Sequence, residues 1–325
     1  MDFRYTQDQQ DLIDAAKAVF DGENTLERMR LIVANEKVDD LWPQFSELGL
    51  LGIMAPESVG GLEQDLSVMA GIAEAAGYVA LPESLVELAG ISVPLLNAMG
   101  ETGKIKQVLA GDLAVGVLSP LLSNNNQAVH CDLFIRTTRD GGEPVSVPKV
   151  KFETRQSIDP LRGLSSATQP GEHNSFVEHH GAVLTAAQLV GLSKRMVDMS
   201  VEYAKERHQF GKPIGSFQAI KHHLATVHAQ IEFTRPMVQL AALQSGRAVH
   251  TAKIAAVDTA MLAAETAIQV HGGMGYTYEV DLHLFMKRAW ALCGEWGDRN
   301  YHMKQLEDLI LDGEAELGPG TSFAA

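Results

Sequence analysis

Tyr203-Ala-Lys-Glu-Arg207-His-Gln209-Phe210-Gly211-Lys-Pro-Ile-Gly215-Ser216-Phe217-Gln218-Ala-Ile-Lys-His222 decides the fold. It predicts the end of one long helix, a tight turn bearing glycine and proline, and the start of another. Arg207 falls in the last helical turn, Ser216 stands as the N-cap, and Gln218 falls in the next first turn. Such a polar junction can hold an anion, because a guanidinium binds phosphate through two parallel hydrogen bonds and the free N–H groups of a helix start add to it. The same spacing also suits a plain helical corner in which Arg207 caps carbonyls. A second stretch, Gln269-Val-His271-Gly272-Gly273-Met274-Gly275-Tyr276, puts another glycine-rich turn after an alanine-rich segment.

Outward from these stretches the periodicity is helical. Val183, Ala186, Ala187, Val190, Val197, Val201 and Ala204 share one face, and a second helix starts at Ser216 and contains Pro236, which should bend or break it. A third runs from about 249 to 270 with small residues for close packing, a fourth follows Thr277, and a short one spans 300–311. Residues 177–312 thus form a C-terminal helical bundle, followed by a mobile tail at 313–325. Residues 1–113 also read as helices. Thr6 caps the first, Trp42, Phe45, Leu48 and Leu51 mark a second, and a glycine loop at 55–62 precedes further helices. Between 114 and 176 the texture changes to short apolar runs, 114–118 and 132–136, separated by Asn124-Asn125-Asn126, Asp140-Gly141-Gly142 and several prolines. Those are the marks of a small β domain.

The composition of the 325 residues, 46% hydrophobic and 6% aromatic, favours helices. A formal net charge of −15 with no basic stripe argues against nucleic acid as a partner. Two unlike cysteines, Cys131 and Cys293, suit a reducing compartment and offer neither a disulfide framework nor a CxxC metal site. No run approaches membrane-spanning length and the first residues lack an apolar leader, so a cytoplasmic protein is expected.

The two opening stretches together resemble the flavin-binding elements of the acyl-CoA dehydrogenase family, Arg-x-x-Phe-Gly and Gln-x-x-Gly-Gly. The resemblance covers nearly the whole chain, strongly over 40–62 and 183–290 and weakly in the middle. It implies a mainly α fold with an N-terminal helical domain, a middle β domain and a C-terminal four-helix bundle. It also implies FAD as cofactor, an acyl-CoA substrate, and a cofactor half-site made of Arg207, Gln209, Phe210, Gly211, Gln218, Gln269, Gly272 and Gly273. The 55–62 loop would lie near the acyl pocket. The middle domain departs from the family. It lacks the Thr-Glu-Pro and tryptophan segments that line the isoalloxazine, with Leu118-Ser-Pro120 the nearest relic and Ile158-Asp159-Pro160-Leu-Arg162 resembling a last barrel strand. The domain is therefore shrunken.

The family's chemistry needs a carboxylate in a dry pocket to take the α-proton of the thioester. The resemblance places the two known base positions at Trp296 and Gly181, and neither residue can act as a base. Glu295, one residue away, is the fallback, although exposure is the expected fate of a loop glutamate. Glu178 is three residues from Gly181 and too far. His222, His223, His228, His179 and His180 lack helical metal-pair spacing and are expected at the surface or at helix ends, so no metal is assigned.

In this family FAD lies across a subunit interface, so a chain keeping one half of the site fits a heteromer. Similar short subunits occur in the α2β2 actinobacterial enzymes of steroid side-chain degradation. The expectation is a non-catalytic subunit whose full-length acyl-CoA dehydrogenase partner completes a heterotetramer and supplies base and flavin pocket. A self-sufficient homomeric enzyme using Glu295 and a flavin-free scaffold are the rivals.

Overall fold

The computed structural model describes residues 3–122 and 131–311. The asparagine turn at 124–126 and the tail at 313–325 lie outside the described residues.

The N-terminal helices start where hydroxyl and carboxylate caps allow. The Thr6 hydroxyl accepts from the Gln9 N–H, and the Gln9 side chain answers to the Thr6 N–H, opening α1 (Gln7–Glu23). The Thr25 hydroxyl accepts from the Arg28 N–H, without a reciprocal bond, to open α2 (Leu26–Val33), a helix not anticipated above. In α3 (Trp42–Glu47) Phe45 is buried edge-on against Phe20 and Trp42. The 55–62 loop is a structural corner, stitched by the N–H groups of Leu62, Glu63 and Gln64 to carbonyls of Gly52, Ala55 and Ile53. Then follow α4 (Leu66–Tyr78), α5 (Leu85–Glu87), a π-turn at Leu88–Ser92, α6 (Val93–Ala98) and α7 (Thr102–Leu109). Pro94, lacking an N–H, sits at the start of α6 just after the π-turn.

Five of the described strands lie between Val115 and Ala167, and a short further pair follows the long helix that ends at Glu206. β1 (Val115–Leu118) runs parallel to β2 (Leu133–Thr138), and β3 (Gly141–Ser146) pairs antiparallel on the other side of β2. β4 (Phe152–Arg155) and β5 (Leu164–Ala167) make a separate antiparallel pair. Residues 158–162 do not form the anticipated strand. They are the connection between β4 and β5, and Asp159 and Arg162 turn inward from it to buried ion pairs.

The bundle is built on α8 (Ser175–Glu206), 32 residues opened by Asn174, whose side chain accepts from the Val177 N–H. It packs against α4 through a pair of glycines. An added Cβ at Gly191 would meet the Glu74 carbonyl at 2.0 Å, and one at Gly77 would meet the Gln188 carbonyl at 2.2 Å. On its other sides lie α9 (Gln218–Leu243), α10 (Arg247–His271) and α11 (Leu282–Cys293), and α12 (Arg299–Leu311) lies against α10. α9 continues unbroken through Pro236, because only one ladder hydrogen bond is lost and the stripe Val227, Ile231, Thr234, Val238 and Ala241 holds both halves. Small buried residues of α10 (Ala252, Ala256, Ala260, Ala263, Ala264, Ala267) let its neighbours approach closely. One continuous apolar core runs from Ile13 to Trp296. No described helix is long and apolar enough to cross a membrane.

Candidate functional site at the two ends of the long helix

At the C-terminal end of α8 the Arg-x-x-Phe-Gly stretch folds as a hairpin. β6 (His208–Gln209) pairs antiparallel with β7 (Lys212–Pro213), and the two residues between them, Phe210 and Gly211, have φ of 53° and 78°. Positive φ at both central residues is what a two-residue type I′ turn requires. The Arg207 N–H closes α8 on the Tyr203 carbonyl at 2.8 Å, and its own carbonyl accepts from the Ile214 N–H at 2.8 Å, so its backbone is fixed on both sides. Its guanidinium is exposed and makes no hydrogen bond or ion pair among the described residues, so it does not cap the helix. Phe210 is 91% exposed at the hairpin tip. Phe217 meets Phe210 edge-on and carries the Lys212 ammonium 4.4 Å above its ring. Ser216 does not cap α9. It ends a 3-10 turn, and Phe217 precedes Gln218 with no side-chain cap, leaving the first N–H groups of α9 without one.

The second glycine turn closes α10. Gln269, Gly272 and Gly273 are exposed, and Gly272 takes φ 60° and ψ −134°, a conformation glycine adopts without strain. An added Cβ at Gly272 or Gly273 would meet nothing within 4 Å, whereas one at Gly275 would meet the Ile268 carbonyl at 2.9 Å. Gly275 is thus explained by packing inside the chain. Gly273, whose φ is ordinary, is not, and its bare backbone is open to an outside group. A phosphate suits both features, an unpartnered guanidinium and an open glycine turn. Tyr203 stacks on His271 between the two elements.

The N-terminal end of α8 is arranged differently. The indole of Trp296 lies against Gly181, where an added Cβ would stand 2.1 Å from indole Cδ2. Trp296 is buried with φ 54°, a costly backbone for a bulky residue. Its N–H bonds the Leu121 carbonyl at 2.9 Å, and its carbonyl pairs with His302 Nε2 at 3.0 Å. Lys253 reaches from α10 and donates to the carbonyls of Glu295 and Gly297 at 2.9 and 3.0 Å, and more distantly to Cys293 at 3.4 Å. Burial lowers the pKa of Lys253 to about 8. A cavity of about 480 Å³ adjoins this turn, lined among others by Phe176, His179, Ala182, His250, Tyr301 and Trp296.

Glu295 corrects its expectation. It is 3% exposed, and burial, with Glu87 adding to it, pushes its carboxyl up to about 7 against the pull of Arg162, Arg288 and Lys253. It belongs to a buried knot of charges. Arg162 pairs with Glu87 at 2.7 Å and donates to the carbonyls of Leu81, Pro82 and Glu83, while Arg288 pairs with Asp159 and donates to Leu81. Trp296, and not Glu295, lines the neighbouring cavity. Glu178 is half-buried and pairs with His173. His180 departs from the surface expected of it; His180, His271 and His302 are all buried, and burial lowers their pKa values, to about 4 for His180 and about 3 for His302. No group of three or more metal-ligating side chains stands together among the described residues.

Residues 6–112 match the acyl-CoA dehydrogenase N-terminal domain and residues 178–308 the acyl-CoA dehydrogenase C-terminal domain. The chain belongs to the acyl-CoA dehydrogenase family. That family comprises flavoprotein oxidoreductases acting on CH–CH bonds, with FAD as cofactor. The chain is 32% identical to acyl-CoA dehydrogenase IpdE2 of Mycobacterium tuberculosis over 77% of its own length and 80% of that protein's. It is 27% identical to IpdE2 of Mycolicibacterium smegmatis over 84% and 88%. In fold it superposes on a chain of the ChsE4-ChsE5 complex of Mycobacterium tuberculosis with a TM-score of 0.84, at 21% identity, covering 98% of this chain and 100% of that one. A chain of the Tcur3481-Tcur3483 steroid ACAD gives 0.81 at 22% identity, covering 95% and 99%. The unmatched stretch between the two acyl-CoA dehydrogenase domains, residues 113–177, contains all the strands of the reduced middle region.

Proposed function

We propose that this chain is the non-catalytic subunit of a heteromeric, cytoplasmic, FAD-dependent acyl-CoA dehydrogenase. A full-length acyl-CoA dehydrogenase partner provides the glutamate base and the pocket for the flavin ring. The present chain provides the pyrophosphate and adenosine half-site through Arg207, Gln209, Phe210, Gly211, Gln218, Gln269, Gly272 and Gly273. The reaction is α,β-desaturation of an acyl-CoA thioester, in which FAD, when bound, accepts the hydride from the β-carbon. Arg207 binds and orients the pyrophosphate; Trp296, held by Lys253, keeps a substrate out of this chain's own base position. One observation carries the proposal: the indole of Trp296 on Gly181 fills both positions where the family places its base. The likeness to chains of two-component complexes, one of them described as a steroid ACAD, supports a heteromer and a bulky acyl-CoA of the steroid side-chain class.

Co-expression with candidate full-length partners tests this. Alone, the chain should purify colourless; with its partner it should form a yellow tetramer. Stoichiometric FAD in the single chain would contradict the proposal. A second reading, a homomeric enzyme using Glu295, draws support from that carboxyl's burial and raised pKa. It requires the single chain to be both yellow and active.

A further inference from the structure

The groups assigned above to the cofactor are exposed, and all but Gln218, which opens α9, come from two separate helix ends. Arg207, Gln209 and Phe210 follow α8, and Gln269, Gly272 and Gly273 end α10. Exposed groups have little packing of their own to hold their mutual spacing. A part-buried contact joins the two ends. The Tyr203 ring stacks on His271 at 4.3 Å between centroids with 25° between planes, and the Tyr203 hydroxyl donates to the His271 carbonyl at 3.4 Å. Each ring is tied to the element it serves. The Tyr203 carbonyl accepts the Arg207 N–H at 2.8 Å. His271 immediately precedes Gly272, is 4% exposed, and hydrogen-bonds through Nδ1 to the Ala267 carbonyl at 2.8 Å.

Resting on the half-site proposed above, we infer that Tyr203 and His271 are its positioning residues, fixing the distance between Arg207 and the Gly272-Gly273 turn. α8 and α10 pack along their length without this pair, so its loss should release the two ends while leaving the bundle assembled. The stack supplies the spacing, and the long hydroxyl contact adds little.

The test uses the complex with its partner, stripped of FAD and titrated with FAD by flavin fluorescence, with native mass and thermal midpoint measured alongside. Tyr203→Leu should weaken FAD binding about tenfold at unchanged mass and nearly unchanged midpoint, and so should His271→Gln. Tyr203→Phe, which keeps the stack, should bind within about twofold of the native chain, a rescue that separates positioning from mere loss of packing. Arg207→Ala, run in parallel, reports on the half-site itself. Loss of FAD in Arg207→Ala with native affinity in Tyr203→Leu or His271→Gln overturns the inference and leaves the half-site standing. Native affinity in Arg207→Ala as well overturns both. Failure of both ring variants to assemble would make the pair a folding element and would also overturn the inference.

Discussion

The two ends of α8 have had opposite fates. They are about 39 Å apart at 1.5 Å per residue from Gly181 to Arg207. At the C-terminal end the polar groups point outward: Arg207 has no partner among the described residues, Phe210 stands in solvent, and Gly273 has open space where a side chain would be. At the N-terminal end nothing is left open over Gly181. An indole occupies the place of its missing side chain, and the turn bearing that indole is held by Lys253, Leu121 and His302. The same residue type marks an opening at one end and a filled socket at the other. On the proposed reading the scaffold keeps one half of a cofactor site and closes its own reaction centre, and the two lie too far apart to constrain each other.

Gly181→Leu breaks the comparison most severely. With a Cβ 2.1 Å from the indole, either Trp296 must leave or α8 must shift, and unfolding should become easier by about 3 kcal/mol or more. Denaturant unfolding of the complex measures it, and a neutral result would mean the socket is loose.

Next in size is the pH dependence of Glu295. Its carboxyl keeps a proton to about pH 7 in the folded chain and loses it near pH 4.5 in the unfolded chain. The stabilisation is therefore complete below the unfolded value and is lost as pH rises through 7, on the order of 3 kcal/mol. Glu295→Gln should flatten this decline between pH 5 and 8 in unfolding experiments. The same variant should leave turnover of the complex within about twofold, whereas loss of a true base would cut it about a hundredfold or more.

Arg207→Ala addresses the open end. A desolvated guanidinium–phosphate pair is worth roughly 1.5–3 kcal/mol, so FAD should bind about ten- to a hundredfold more weakly at unchanged unfolding free energy. Equilibrium dialysis of FAD against the assembled complex reads this out. Smallest of all, Gly273→Ala should change stability by less than about 0.5 kcal/mol, since nothing lies within 4 Å of the new methyl group. A large loss of stability there would show that the turn is packed against the chain after all.

What the sequence disclosed follows the range of the forces involved. The hairpin at Arg207 and the turn at Gly272 are set within a few residues, so local patterns reveal them. Helices with a clear apolar stripe were equally legible, down to the Thr6 cap. Pro236 misleads because a single lost hydrogen bond is overruled by the packing of α9 on both sides of it. Ser216 misleads because a 3-10 turn, invisible to composition, moves the helix start to Gln218. The burial of Glu295 could not be read at all. Its surroundings come from Glu87, Arg162, Lys253 and Arg288, which only the tertiary fold brings together. The contact of Trp296 with Gly181 is likewise non-local, although one signal was present: the two positions at which the resemblance expects a base hold a tryptophan and the residue with no side chain.

Flavin content measured against native mass of the intact co-expressed complex tests the central claim most directly. On the proposed reading only the partner has a flavin-ring pocket, so each FAD would need one partner middle domain and one bundle of the present kind. A tetramer of two subunits of each type should then carry two FAD. Four FAD per tetramer would contradict it, because this chain's reduced middle region would then be holding a flavin ring of its own.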